Sequence, residues 1–463
     1  MQTFRLHDNH SYGPKENEGL KQSQIFDRLA DKTVAKLEEQ EGIFAFPPTV
    51  HENPDVDDDD MILAHSGKGV RTGSLMGFFG LGDERLSINS RFSEDDENGS
   101  DYFLHHILKK VLGFSAVDLK VSLDSDESLY RLLELLFPAY LKRAMRFGVY
   151  MRYIGKRFDD SHVRGVIDVP EVIRNDLPFV GHIAYRTREM STDNEVTELV
   201  RHTAEYLLRD GGMVANFLRR DTDLRKFVKV IREVTPSYRR QDRKKVVAMN
   251  ERRLVRSGYF HDYKGLQRLC IAILRGRRVS VLGDLRKVHG ILFDGSWLWE
   301  EYLNTIFQSE DVRVLHPQNR ERIGTQYFFS NGAGKIYPDF IYPCNGIFIV
   351  MDAKYKPAGN ISGDDYQQVL SYMLRFDARR GLYLYPRMDS EETDKLLPVL
   401  KGVKWSGFEK PKERDEKLFV AKVGLLVPRG CVGQAKFDVL ASSQEKDFAR
   451  RVAELLWSRS AIA

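Results

Sequence analysis

Cysteine is scarce. Cys270, Cys344 and Cys431 are the only three in 463 residues, they lie far apart, and no CxxC pair occurs. That excludes a disulfide-stapled scaffold and a zinc ribbon, and suits a reducing cytoplasm. Long apolar runs are also missing: no stretch approaches the roughly 18 residues that a membrane span needs. The first residues, MQTFRLHDNHSYGPKE, lack a basic region followed by an apolar one and do not read as a secretory signal. Neither sign of charge prevails, since 71 Lys and Arg stand against 67 Asp and Glu, and +4 is too little to prove a nucleic-acid partner. A Walker A loop requires G-x-x-x-x-G-K-[ST]; HSGKGV (65–70) and NGAGKI (331–336) both fail it, and GFFGLG (77–82) reads as turn glycines. With G-x-S-x-G and H-E-x-x-H absent as well, the chain shows no nucleotide-hydrolysing machinery of its own.

What is present suffices for about three domains. Residues 1–120 are expected to be β-rich, 121–285 mainly helical, and 286–463 an α/β unit. Residues 1–24 are polar and expected to be loose, and a helix is expected over 25–40. Asp55 and Asp57 to Asp60 form an acidic run, and SEDDENGSD (93–101) is a second; like charges in sequence repel, so both read as solvated loops. Glycines punctuate short apolar pieces over 61–92, the pattern of small twisted sheets. A helix over 102–114 carries His105 and His106, adjacent positions that do not face one site. Farther on, SLYRLLELLF reads as a helix stopping at Pro138, VRGVIDVPEVIR (163–174) as a strand ending near Pro170, and 194–212 as a helix closed by Gly-Gly. The window 219–256 holds fourteen Lys and Arg against five Asp and Glu. It is either a phosphate-facing surface or a solvated helix face. From 286 onward helices and near-continuous apolar strands alternate, which argues a sheet covered on its faces.

Chemistry concentrates in IYPDFIYPCNGIFIVMDAKYK (336–356). Cys344-Asn345-Gly346 reads as a hairpin turn. On the strand that follows, residues two apart share a side, so Asp352 and Lys354 project together, and pairing across the hairpin brings Asp339 toward them. Charge at the end of an apolar strand is costly unless used or paired. Two carboxylates suit a hard cation such as Mg²⁺, with the backbone carbonyl of Ala353 as a further oxygen. Such an ion activates water and offsets phosphate charge, and Lys354 would orient the water and stabilise developing charge. The arrangement is that of a phosphodiester-hydrolysing site. Glu300 and Glu301, at the start of a helix ahead of the sheet, can bridge to it or merely serve the helix dipole. Gln367 or Gln368, on the helix after the second strand, can touch phosphate or water or simply face solvent.

These residues resemble a known family. Pro338-Asp339 followed by Asp352-Ala353-Lys354 is the layout of the PD-(D/E)xK nuclease superfamily. More narrowly, the chain resembles McrC, the nuclease subunit of McrBC-type modification-dependent restriction systems, including LlaJI-like relatives. The thirteen-residue step between the aspartates suits that family, as does L-W-E-E-Y-L at 298–303, which aligns Glu300 with the family's glutamate. In D-Y-Q-Q-V-L-S-Y (365–372) the family's glutamine and tyrosine fall on Gln368 and Tyr372, with Gln367 replacing a tyrosine. Residues 72–108, 165–174 and 188–207 resemble its N-terminal and middle regions. The resemblance implies a multi-domain α/β chain whose 286–463 part is a restriction-endonuclease-like mixed sheet flanked by helices. It implies catalytic Asp339, Asp352, Lys354, Glu300 and Gln368, with Mg²⁺ on Asp339, Asp352 and Ala353. It also implies a partner, an McrB-like AAA+ GTPase hexamer that binds GTP or another nucleotide and is contacted by residues 1–120, with double-stranded DNA as substrate. The competing expectation is a non-catalytic adaptor that activates such a motor and holds DNA. A stand-alone nuclease fits poorly with so long an N-terminal half.

Overall fold

The structure is a computed structural model that describes residues 2–16, 19–48, 61–67, 69–94, 101–112, 126–179, 181–275, 288–317, 326–344, 347–400 and 418–457. The acidic residues 55–60 and 95–97, and the Asn345-Gly346 turn, lie outside them. The chain forms two compact units, one from 1–124 together with 285–463, the other from 125–284. The three-part division expected from sequence is thus drawn differently, because the two ends of the chain share one unit.

In the first segment of that unit, residues expected to be loose carry β1 (Gln2–His7) and β2 (Ser11–Tyr12). Phe4 and Leu6 are buried, which explains why so polar a stretch is held. The single helix expected over 25–40 is two, α1 (Gln24–Leu29) and α2 (Val34–Gln40). Asp31 breaks them: its backbone is left-handed at φ 54, and its carboxylate accepts from the His65 amide at 3.0 Å. Ser23 and Thr33 cap the two starts. β3 (Gly42–Phe46), β4 (Leu63–Ser66), β5 (Gly69–Thr72), β6 (Leu75–Leu81) and β7 (Glu84–Asn89) follow, then α3 (Tyr102–Leu112). β2, β4 and β5 form a small sheet of order β2-β5-β4. Asp101, the last acid of the second acidic patch, is a buried helix cap rather than a solvated charge. It accepts from Leu104 and Ser90 amides at 2.7 and 2.6 Å.

The second unit is mainly helical but holds a sheet. α4 (Asp126–Met145) runs through Pro138 instead of stopping there; the buried Leu136, Phe137, Tyr140 and Leu141 hold both sides of the proline in one apolar stripe. β8 (Arg152–Asp160), β9 (Val166–Ile167), α5 (Val169–Asn175) and β10 (Ile183–Ser191) come next, with sheet order β8-β10-β9. The strand expected over 163–174 is therefore two residues long. Pro170 sits in the first turn of α5, where its missing N–H costs nothing. α6 (Glu195–Asp210) is capped by Asn194 and ends on Gly211 at φ 74. α7 (Met213–Arg220), α8 (Thr222–Glu233), α9 (Arg243–Arg252) and α10 (Asp262–Arg275) complete the unit.

The chain then returns to the first unit. β11 (His289–Asp294) pairs parallel to β3 and antiparallel to β6, giving a five-stranded sheet of order β1-β7-β6-β11-β3. Gly77 permits this closeness, since a Cβ there would meet the Ile291 carbonyl oxygen at 2.4 Å. α11 (Gly295–Ser309) leaves β11 directly, with the Asp294 carboxylate accepting from the Trp297 amide at 3.0 Å. β12 (Gln326–Tyr327) and β13 (Lys335–Ile336) form a ribbon. The second large sheet comprises β14 (Phe340–Cys344), β15 (Ile347–Ala353), β16 (Arg380–Arg387), β17 (Lys395–Pro398) and β18 (Phe419–Leu426). Its order is β14-β15-β16-β18-β17, with β15, β16 and β18 parallel and both edges antiparallel. Leu315, after α11, forms an isolated antiparallel bridge with Ile341. α12 (Asp364–Arg375) packs on the face of Val350, Tyr383 and Tyr385, and α13 (Gln434–Trp457) ends the described chain. β16 and β18 are buried on both faces nearly end to end, as the apolar runs predict. The protein is a mixed α/β chain.

Candidate active site

The hairpin register decides what meets at the site. Phe340 lies opposite Met351, so Asp339, one residue before β14, falls level with Asp352 near the end of β15. The Ala353 amide donates to Asp339 Oδ2 at 2.7 Å, which fixes that carboxylate against the neighbouring strand. Asp352 is 2 % exposed, and its Oδ2 lies 2.8 Å from Lys354 Nζ. Asp339, Asp352 and Lys354 are therefore brought together.

Lys354 is held from a second direction by α12. Its Nζ donates to Gln368 Oε1 at 2.8 Å, and Gln368 Nε2 donates to the buried Tyr372 hydroxyl at 2.8 Å. Gln367, the alternative candidate, is exposed. Asp365, one turn earlier on α12, lies 3.5 Å from Lys354 and 2.7 Å from Lys356. Burial alone would lower the Lys354 ammonium; the carboxylate of Asp352, then those of Asp339 and Asp365, raise it instead, so it stays charged.

Glu300 and Glu301 reach the other side of the site from α11, which is anchored by Trp299 Nε1 donating to the Leu384 carbonyl at 3.0 Å. Glu300 bears on Asp339 through charge. Burial first, then the negative charges of Glu300 and Asp352, push the Asp339 carboxyl well above the usual range, against the opposing pull of the Ala353 amide and Lys354.

His316 completes this side, and sequence reasoning passed over it. Its Nδ1 donates to the Asp339 carbonyl oxygen at 2.9 Å, and its Nε2 lies 3.2 Å from Glu301 Oε1. Glu300 Oε1 is 3.7 Å from Nδ1. Burial would lower this imidazole, but Glu301, Glu300 and the Asp339 carbonyl raise it to about 9. The available signal was a lone histidine before a proline in VLHP, which names no partner. Asp365 was likewise read only as part of a string.

Among the described residues no group of three or more His, Cys, Asp or Glu side chains is arranged to hold a metal ion. A smaller oxygen set is present in Asp339 and Asp352, beside the Ala353 carbonyl at the end of β15. Its chemistry fits a hard divalent cation that keeps several waters. Crowded carboxylates that push one another toward protonation are relieved by positive charge between them.

The family model described as the McrBC 5-methylcytosine restriction system component matches residues 70–386. Among solved structures, a refined half-complex from a tetradecameric assembly of Thermococcus gammatolerans McrB AAA+ hexamers with bound McrC is 14% identical. It has a TM-score of 0.45 and covers 98% of this chain and 100% of that chain. The cryo-EM structure of the Thermococcus gammatolerans McrBC complex is 13% identical. Its TM-score is 0.27, and it covers 68% of this chain and 90% of that chain. No curated protein matches the chain.

Proposed function

The chain belongs to the McrBC family of 5-methylcytosine restriction system components, and on that premise we propose that it is an McrC-like, Mg²⁺-dependent DNA endonuclease subunit. The observation that carries the proposal is the cluster of Asp339, Asp352 and Lys354, with Gln368 on the lysine and Glu300 beside the first aspartate. That is the residue set of a PD-(D/E)xK nuclease, and the second large sheet would be its catalytic sheet.

Asp339, Asp352 and the Ala353 carbonyl would hold the ion. When bound, Mg²⁺ supplies an activated water and neutralises charge on the scissile phosphate. The protein's part is positional. Asp339 is fixed by the Ala353 amide and, through its own carbonyl, by His316. Lys354 is kept charged by its carboxylate neighbours and is aimed by Gln368, so it can orient the attacking water and stabilise developing charge on the phosphoryl oxygens. Glu300 adds negative charge where the cation would sit.

The rest of the reading concerns partners. Because no Walker A loop occurs, an McrB-like AAA+ GTPase hexamer would bind GTP or another nucleotide, move on double-stranded DNA and have its hydrolysis stimulated by this chain. Among the described residues no helix is long and apolar enough to cross a membrane, and a cytoplasmic restriction role is proposed.

Plasmid cleavage with Mg²⁺ tests this, with and without the partner ATPase or GTPase, beside Asp352→Ala. Partner-dependent cutting that is lost in the variant supports the nuclease and its site together. Raised nucleotide hydrolysis by the partner with no cutting under any condition favours the adaptor reading instead.

A further inference from the structure

The basic window 219–256 has no part in the nuclease site. Much of it folds against α6 in the second unit, and there the structure answers whether its cations merely face solvent. Arg240 in the turn before α9, and Arg243 and Lys244 at the start of α9, line a cavity of about 740 Å³ with Arg209 from the end of α6. That volume lies within the range of small-molecule sites. None of these four side chains has an ion-pair partner among the described residues. The one acid in the lining, Glu205, is already neutralised by Arg232 at 2.7 and 3.2 Å. The cavity is therefore concave and cationic, which a solvated helix face need not be.

Its apolar and neutral walls are equally specific. Tyr206 and Tyr238 both line it. Arg201 donates to the Thr235 carbonyl and hydroxyl at 2.7 and 2.9 Å and lies 4.1 Å from the Tyr238 ring centre, fixing that ring. His202, whose ring centre is 4.5 Å from that of Tyr238, is 3 % exposed, and its Nε2 has no hydrogen-bond partner among the described residues. Burial, with the charge of Arg243, holds the imidazole neutral by lowering it to about 4.

We propose that this cavity binds a nucleotide. Arg240, Arg243 and Lys244 take the phosphate oxygens, and the nucleoside lies against Tyr206 and Tyr238. The nucleotide can be free in solution or one unit of a DNA strand, because the same chemistry recognises both. The cavity lies wholly within the second unit, so the proposal stands apart from the nuclease reading.

The test uses the full chain with EDTA present, so neither metal nor cleavage enters the readout. GTP, inorganic phosphate and a short single-stranded oligonucleotide are titrated separately into the wild-type chain, Arg240→Ala/Lys244→Ala, and the exposed single variant Lys244→Glu in case the double variant unfolds. Melting temperature confirms folding. A loss of GTP affinity of about tenfold or more, with oligonucleotide binding unchanged, supports the site with a free nucleotide as ligand. The same loss for the oligonucleotide, with a salt slope shallower by about 1.4 in the double variant, supports it with a strand as ligand. Inorganic phosphate binding as tightly as either probe overturns the nucleoside contacts. Unchanged binding of both probes by folded variants overturns the site.

Discussion

At the scale of single residues, Lys354 carries the most testable role. It touches Asp352, Gln368 and Asp365 at once, so it organises the site as well as charging it. Under the nuclease reading, Lys354→Ala should lower the partner-activated cleavage rate by about 100-fold or more, the scale of losing one preorganised donor. The Mg²⁺ concentration for half-maximal rate should move far less. A shift mainly in that Mg²⁺ requirement would make the lysine an organiser of the carboxylates rather than a participant. Gln368→Ala should cost about tenfold, because it removes one charge-assisted hydrogen bond and leaves Lys354 its carboxylates; Gln367→Ala should cost nothing measurable, since that side chain is exposed. The meeting of Asp339, Asp352 and Lys354 was legible in sequence because strand periodicity and a hairpin suffice to place it. His316 was not, because its partners are the Asp339 carbonyl, 23 residues away, and Glu301, 15 away on a helix. No local pattern encodes that meeting.

At the scale of elements, the site depends on how α11, α12 and α13 are seated. Gly381 lies where α12 crosses β16, and a Cβ there would meet Val369 Cγ1 at 2.5 Å and Met373 Sδ at 2.8 Å. Gly381→Val should therefore displace the helix that carries Asp365, Gln368 and Tyr372. Stability should fall by about 1–3 kcal/mol, as overpacking does, and cleavage should fall by more than stability explains; full activity in a destabilised variant would show that α12 need not be seated so closely. The pairing of α3 with α13 makes a different prediction. His106, 1 % exposed, bridges Asp438 at 2.7 Å and Glu445 at 2.8 Å, and Lys109 and Lys110 neutralise the outer oxygens of the same two acids. The buried Tyr302 hydroxyl also donates to Glu445, at 2.7 Å. Burial would lower His106, but the hydrogen bonds and charges of Asp438 and Glu445 raise it above its ordinary 6.5. Burial opposes them too, yet Asp438 and Glu445 sit below their ordinary values once His106 and the two lysines are counted. A raised imidazole contributes stability that is complete below 6.5 and lost as pH rises through the folded value; lowered carboxylates contribute stability that is lost in acid. The melting-temperature gap between wild type and His106→Gln should therefore be widest at about pH 5–6 and narrow as pH rises above the ordinary histidine value of 6.5. A gap independent of pH would show the histidine acting by packing alone.

At the scale of the whole molecule, the decisive fact is that the first unit is assembled from both ends of the chain. Composition and periodicity read along the sequence placed a boundary near residue 286, at the change to alternating strands and helices. They could not show that the first of those strands, β11, belongs between β6 and β3, because strand pairing across so long a stretch of chain leaves no local signature. Further ties join the same two segments: Ser90 Oγ meets the Tyr355 hydroxyl at 2.5 Å, and Val288 N donates to Glu41 at 2.9 Å. Tyr355 is one residue beyond Lys354, so the site itself leans on the N-terminal segment. A fragment of 286–463 would expose the apolar face of β11, the partners of α3 on α13, and the buried ring of Tyr355. Such a fragment should fail to give a cooperative thermal transition, whereas 125–284, a unit with its own buried helices and sheet, should unfold cooperatively by itself. Circular dichroism melts of the two fragments decide the matter. A cooperatively folding 286–463 would mean that β11 and its contacts are accessory to the second large sheet, and that substitutions in 70–92 can alter partner contacts without touching the site. The shared core of the two segments predicts the opposite: disruptive substitutions in β6 and β7 should impair cleavage together with any stimulation of the partner.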